Sequence, residues 1–275
     1  MVEITNKDFQ QFADYIKENY GINFKEEKKI LVMGRLQAIL QEKGITRFSE
    51  YLKELMGDKT GEDVVRMLDR ITTNHTFFMR EVDHFDFLKN TVLPELNKTI
   101  ADRDLRIWCA ASSTGEEPYT LAMILQDFFE QQPVIWDKKI LATDLSSKAL
   151  TTAMEGVYSL EEVNPLPPIW KSRYFKKRQD GTMEICPELK QEVIFRKFNL
   201  MEKKFPFRRK FHVIFCRNVM IYFDSPTRTE LVQKMYDFLE PGGYLFVGHS
   251  ESVNRTESEF QYVMPSVYQK KPKTR

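Results

Sequence analysis

From about residue 105 the chain alternates short apolar runs with helical segments, and that alternation restricts the fold more than any other feature. The runs are 105–111, 139–144, 193–198, 211–216 and 243–248, with helices fitting at 116–130, 146–155 and 225–239. Strands separated by helices build a parallel sheet covered on both faces, so an α/β fold of the doubly wound, Rossmann-like kind is expected. Pro241-Gly242-Gly243 reads as the stop of the last helix, and 243–249 with 261–270 as a final hairpin. The stretch 157–192 breaks the pattern. It holds Asn164-Pro-Leu-Pro-Pro168 and the hairpin-turn sequence Gln179-Asp-Gly-Thr182, and it reads as a small antiparallel β-subdomain inserted at the sheet edge.

The N-terminal part has another texture. Phe9, Phe12 and Ile16, then Ile30, Leu31, Leu36, Ile39 and Leu40, fall at helical spacing, with breaks at Gly21, Gly44, Gly57 and Gly61. The expected organisation is a small all-α domain over 1–70, a linker and connecting helix over 71–98, and the α/β domain over 99–275. At 42% hydrophobic and 13% aromatic residues, 275 residues suffice for one large core and one smaller core. A net charge of +1 demands no polyanionic partner. Cys109, Cys186 and Cys216 are an odd number without a C-x-x-C pair, which argues against a disulfide framework or a zinc site and for buried thiols. No basic-then-apolar leader and no run of about 18 apolar residues is present, so a cytoplasmic protein without membrane insertion is expected. The N-x-[ST] matches at Asn74, Asn97 and Asn254 then carry no glycosylation meaning.

The turn after the first run, Ala110-Ala-Ser-Ser-Thr-Gly115, is made of small residues that let a ligand approach the backbone. It has one glycine where a dinucleotide turn has three, and Glu116 and Glu117 follow it, a pair that would repel phosphate. A sulfonium with an α-amino group is cationic and free of phosphate, so the same glutamates would attract it. The plainer reading is favourable charge at a helix N-terminus, worth about 0.3–1 kcal/mol each. Asp144 ends the second run, where an acid can accept from both ribose hydroxyls; its plainer reading is a helix N-cap. Arg217 and Asn218 follow the fourth run and need partners if buried. Arg80 suits bidentate pairing with a free carboxylate or a surface ion pair.

Four motifs, in order, carry a specific resemblance: Asn74-x-Thr-x-Phe-Phe-x-Arg80, Ser113-Thr-Gly-Glu-Glu-Pro-Tyr119, Cys216-Arg-Asn-Val-x-Ile-Tyr-Phe223 and Phe246-x-Gly-His-Ser-Glu251. Over about residues 8–270 the chain resembles the chemotaxis receptor methyltransferases of the CheR type. The resemblance implies a Rossmann-like S-adenosylmethionine-dependent domain behind an all-α domain. It implies methylation of glutamate side chains on chemoreceptor cytoplasmic helices, leaving S-adenosylhomocysteine, by a protein-glutamate O-methyltransferase. Carried over by motif, cofactor contacts would be Asn74, Thr76, Arg80, Glu117, Asp144, Asn199, Leu200, Arg217 and Asn218. Arg80 would hold the cofactor carboxylate, and Tyr222 would lie near the methyl group and orient the acceptor, which makes these two the catalytic candidates. Arg35 is the expected receptor contact, on a second helix otherwise poor in bases, and the turn 179–182 looks shorter than in relatives that dock a tethered receptor peptide. A monomer is expected.

No triad or metal cluster is required by this chemistry. A glutamate with an unperturbed pKa near 4.3 is already an anionic nucleophile at neutral pH, so alignment and exclusion of water should outweigh proton transfer. Other classes fit less well. Gly248-His-Ser-Glu-Ser252 imitates a hydrolase elbow but lacks its second glycine, and no histidine follows Ser250. Basic clusters at 171–178 and 203–210 invite a nucleic-acid acceptor, yet Cys216-Arg-Asn-Val lacks the D/N-P-P-Y/F run of amino-methylating enzymes. The remaining alternatives are another protein as acceptor, or a non-enzymatic module that binds the cofactor.

Overall fold

A computed structural model describes residues 2–72, 75–254 and 256–272. They form two compact units, one over 1–75 joined by 199–203 and 222–228, the other over 76–198, 204–221 and 229–275.

The first unit contains α1 (Asn6–Tyr20), α2 (Lys29–Glu42), α3 (Phe48–Gly57) and α4 (Glu62–Ile71). Thr5 and Asp8 form a reciprocal capping box at the start of α1, and Gly21, at φ 73°, ends the helix by donating to the Lys17 carbonyl. The spacing of Phe9, Phe12, Ala13 and Ile16 buries one face of α1, and α4 does the same with Val64, Val65, Met67, Leu68 and Ile71. Phe12 stacks on Phe24 at 5.5 Å and meets Phe48 edge-on at 6.0 Å, which ties α1 to α3. The two later segments join by backbone pairing: Asn23 N–H donates to the Tyr222 carbonyl at 2.8 Å, and Ile22 bridges Phe223. Asn199 Nδ2 donates to the Asn19 carbonyl at 2.8 Å.

In the second unit α5 (Val82–Phe87) runs through a π-helical turn, Leu88–Val92, into α6 (Leu93–Thr99). Strand β1 (Ile107–Cys109) leads to α7 (Glu116–Phe129), β2 (Ile140–Asp144) and α8 (Ser147–Glu155). Between β3 (Val157–Tyr158) and β6 (Val193–Lys197) lie α9 (Leu160–Val163), α10 (Pro168–Tyr174), β4 (Phe175–Lys177), β5 (Met183–Ile185) and α11 (Pro187–Lys190). Then follow β7 (Phe211–Cys216), α12 (Ser225–Phe238), β8 (Leu239–Val247), β9 (Gln261–Met264) and β10 (Val267–Gln269). The main sheet has the order β6-β2-β1-β7-β8-β10-β9, parallel from β6 to β8 and antiparallel beyond. From β1 the chain moves outward through β2 to β6 and then returns to the other side of β1 at β7, so the topological switch point lies between β1 and β7.

The inserted stretch forms the antiparallel sheet β3-β5-β4, with Asp180 holding the turn through the Thr182 amide at 2.9 Å, as the Asp-Gly pair predicts. Asp127 of α7 anchors this subdomain by accepting from Trp170 Nε1 at 2.7 Å and Tyr174 Oη at 2.5 Å. The expected final hairpin is rearranged. Pro265 cannot donate to a ladder and Ser266 adopts φ 62°, so the arm folds at this point: β10 pairs with β8 and β9 turns back onto β10. Pro241-Gly242-Gly243 lies inside β8 rather than ahead of it, with Gly242 at φ 83°.

Every residue of β7 is buried, as a central parallel strand requires. Phe215 stacks on Phe246 with centroids 4.3 Å apart and on Phe85 at 6.0 Å, so the connecting helix, β7 and β8 share one aromatic column. Phe246→Ala is expected to cost about 3–5 kcal/mol in urea unfolding, the usual range for a truncated core aromatic. Two buried histidines add a pH dependence. Burial, reinforced by Arg217, holds His84 down to about 4, and burial, reinforced by Arg106, does the same to His212. An unfolded histidine near 6.5 binds a proton that these folded ones refuse, so their contribution is complete above about pH 6.5 and is lost as pH falls towards 4. Melting temperature should therefore drop across that window, and His84→Phe, which keeps a ring and cannot titrate, should make the drop shallower. An equally steep drop in the variant would assign the loss to other groups.

Candidate active site at the switch point

Small residues shape the turn between β1 and α7. Ser113 (φ 47°) and Gly115 (φ 103°) both take left-handed backbone, and a Cβ on Gly115 would lie 2.7 Å from Tyr158 Oη and 3.0 Å from Ala153 Cβ. The turn is pinned to neighbouring strands by Ala110 N–H to the Phe215 carbonyl at 2.8 Å and Ser112 N–H to the Thr143 carbonyl at 2.9 Å. Ser112 Oγ is buried without a hydrogen-bond partner among the described residues.

Asp144 ends β2 beside this turn. One carboxylate oxygen accepts from Ser113 N–H at 2.7 Å and the other from Ser146 N–H at 2.9 Å. The helix cap that was the plainer reading of Asp144 is made by Ser146, whose hydroxyl accepts from Ala149 N–H. The two glutamates of the turn divide. Glu116 is buried, and its carboxylate accepts from the Thr114 hydroxyl at 2.8 Å and from Thr76; burial pushes it above the ordinary carboxylate range. Glu117 points the other way, to Cys109 Sγ at 3.1 Å and to Arg217 Nη1 at 2.9 Å. Burial raises Glu117 as well, with the Arg217 charge opposing the rise.

Arg217 follows β7, so its pairing with Glu117 spans the two sides of the switch point. Its side chain is 1% exposed. The guanidinium lies 5.3 Å over the Phe85 ring, donates to the Arg80 carbonyl, and reaches Glu81 Oε2 from Nη2 at 3.0 Å and from Nε at 3.3 Å. Asn218, at φ 59°, donates from Nδ2 to Glu81 Oε1 at 3.1 Å. Its backbone amide donates to Glu251 at 2.8 Å; that carboxylate also accepts from Gly248 N–H at 2.6 Å and Ile221 N–H at 3.1 Å. Gly248 is needed there, since a Cβ would come within 2.4 Å of Asn218 Nδ2.

The second unit thus brings together Thr76, Glu117, Asp144, Arg217 and Asn218 along one carboxyl edge. Arg80 is in the same unit, half-buried and 6.0 Å over the Phe77 ring. Asn74 lies outside the described residues. Asn199, Leu200, Tyr222 and Arg35 belong to the first unit. There Asn199 Oδ1 accepts from Met201 N–H at 3.0 Å, Leu200 is buried, and Arg35 is half-buried with its guanidinium on the Ile71 carbonyl at the end of α4. Sequence reasoning overlooked Glu81 and gave no role to Glu251, though Glu251 closes one of the four quoted motifs. Among the described residues no helix is long and apolar enough to cross a membrane.

Comparison with known proteins agrees with this architecture. Residues 7–72 match the family model described as CheR methyltransferase, all-alpha domain, and residues 74–268 match CheR methyltransferase, SAM binding domain. The chain is 42% identical to a chemotaxis protein methyltransferase of Borreliella burgdorferi, over 98% of this chain and 96% of that protein. It is 37% identical to chemotaxis protein methyltransferase 2 of Pseudomonas aeruginosa, over 96% and 93% of the two chains. The chemotaxis protein methyltransferase of Escherichia coli is 34% identical over 96% of this chain and 91% of its own length. With both of its parts matched and relatives of this identity along nearly its whole length, the chain belongs to the CheR methyltransferase family.

Proposed function

We propose that the protein methylates glutamate side chains of chemoreceptor cytoplasmic domains, using S-adenosylmethionine and releasing S-adenosylhomocysteine, as a protein-glutamate O-methyltransferase. The observation that carries the reading is the ion pair between Glu117 and Arg217 across the switch point, one strand from Asp144. The donor set suits this cofactor. Glu81, Glu117 and Asp144 outnumber Arg80 and Arg217, so the edge favours a ligand with a cationic end and repels phosphate. Ser112, with its unpartnered buried hydroxyl in the small-residue turn, adds a donor that a polar ligand would satisfy.

Asp144 is suited to hold the ribose hydroxyls, Arg80 the carboxylate of the methionine moiety, and Glu117 its ammonium group. Thr76, Arg217 and Asn218 complete the edge. Asn74, Asn199 and Leu200 enter the proposal by motif alone, as does Tyr222 for orienting the acceptor. When bound, S-adenosylmethionine supplies an electrophilic methyl carbon on a sulfonium sulfur. The protein's own part is alignment and exclusion of water, because an ionised acceptor glutamate needs no base. Arg35 is retained as the receptor contact, and the protein is expected to act as a cytoplasmic monomer.

Incubation with methyl-labelled S-adenosylmethionine and receptor cytoplasmic fragments should place label on the receptor, and mild base should release it as a methyl ester does. Base-stable label would point to N-methylation and remove the carboxylate assignment. Asp144→Ala is expected to weaken cofactor binding tenfold or more in calorimetry; unchanged affinity would take Asp144 out of the site.

A further inference from the structure

Glu81 receives more polar contacts than any role assigned above requires. Its carboxylate takes Arg217 on one oxygen and Asn218 on the other, at 3.0 and 3.1 Å, and accepts from His249 N–H at 3.2 Å. Its side chain is 12% exposed. The backbone is bent to put it there: Glu81 and Met79 adopt φ 57° and 62°, a left-handed conformation that costs non-glycine residues energy and persists where the surroundings enforce it. Burial alone would raise this carboxyl, but Asn218 and Arg217 hold it below the ordinary range, so it is a carboxylate at neutral pH.

A metal site can be set against this. Ligand atoms of Glu81, His84 and His249 lie within 4.8 Å of one another, and neither ring nitrogen of the fully buried His84 makes a hydrogen bond among the described residues. Glu81 Oε2, the oxygen 3.5 Å from His84 Nδ1, is bound to the Arg217 guanidinium, however, and a dication there would sit against a fixed positive charge. The arrangement suits an organising carboxylate better.

Resting on the function proposed above, we infer that Glu81 is a positioning residue of the cofactor site, one whose carboxylate locks Arg217 and Asn218 at the angle the cofactor meets. Arg217 has two carboxylate partners on different edges of its guanidinium, Glu117 at Nη1 and Glu81 at Nη2 and Nε. Loss of Glu81 takes the partner from Nε and one of the two from Nη2, so the angle of the fork then rests on Glu117 at Nη1 and the Arg80 carbonyl, with Phe85 under its plane.

The test compares Glu81→Gln and Glu81→Asp with the unaltered full-length chain, by calorimetric titration with S-adenosylmethionine and S-adenosylhomocysteine, steady-state kinetics and thermal melting. Glu81→Gln keeps the shape and loses the charge. It should melt within a few degrees of the unaltered chain, weaken both ligands tenfold or more, and raise KM for the cofactor while leaving KM for the receptor fragment unchanged. Glu81→Asp, which keeps the charge, should recover part of the affinity; it carries the same comparison if the glutamine variant does not fold. Undiminished affinity in a folded variant overturns the inference alone. An unaltered chain that binds neither ligand overturns the functional reading and this inference with it.

Discussion

The ion pair between Arg217 and Glu117 is the constraint around which the α/β unit is arranged. It joins the first turn after β1 to the first turn after β7, the two places where a doubly wound sheet parts its connections and opens a crevice. A pair with one partner 1% exposed is not self-evidently stabilising, because desolvating two ions offsets much of their attraction. It is tolerable here because each remaining polar atom is occupied. Arg217 spends its other donors on Glu81 and the Arg80 carbonyl, and Glu117 accepts from Cys109. A network satisfied in this way specifies one arrangement, whereas losing Arg217 would leave the Glu81 and Glu117 carboxylates without their cation.

The surrounding backbone is shaped to supply those partners. Among the described residues six non-glycine residues take positive φ, and four of them, Met79, Glu81, Ser113 and Asn218, lie in segments that contribute to this edge. Strain of that kind needs a rigid support. The support is aromatic: the Phe85, Phe215 and Phe246 column fixes the connecting helix, β7 and β8 below the edge, and the Asn218 turn is clamped by Glu251 through backbone amides. Packing energy thus holds a polar geometry that the local chain would not adopt by itself.

Much of this was legible from residue patterns. Alternating apolar runs located the five parallel strands, the interruption at 157–192 located the small sheet, and Asp144 stands at the end of β2 as its place after the second run indicates. Edges were harder. The fold-back at Pro265-Ser266 depends on one proline and one left-handed residue, which a hydrophobic pattern does not register. The equivalence of Glu116 and Glu117 was also misleading. Adjacent helical positions project about 100° apart, so one carboxylate turns to Thr114 and Thr76 while the other meets Arg217.

Glu81 shows why such groups escape sequence reasoning. It stands next to a quoted motif residue, Arg80, yet its partners Arg217, Asn218 and His249 are more than 130 positions away in the chain. Nothing in an isolated glutamate ahead of a helix distinguishes it from a favourable charge at that helix's N-terminus. Distinction comes only from topology, which carries the ends of β7 and β8 back to the start of α5. The charge count then changes meaning. With Glu117 alone, Arg217 would be a neutralised pair; with Glu81 added, the cluster carries a net negative charge beside a further carboxylate at Asp144. An edge so biased can receive a cationic ligand without rearranging its own ion pairs, which is the condition for a preorganised site.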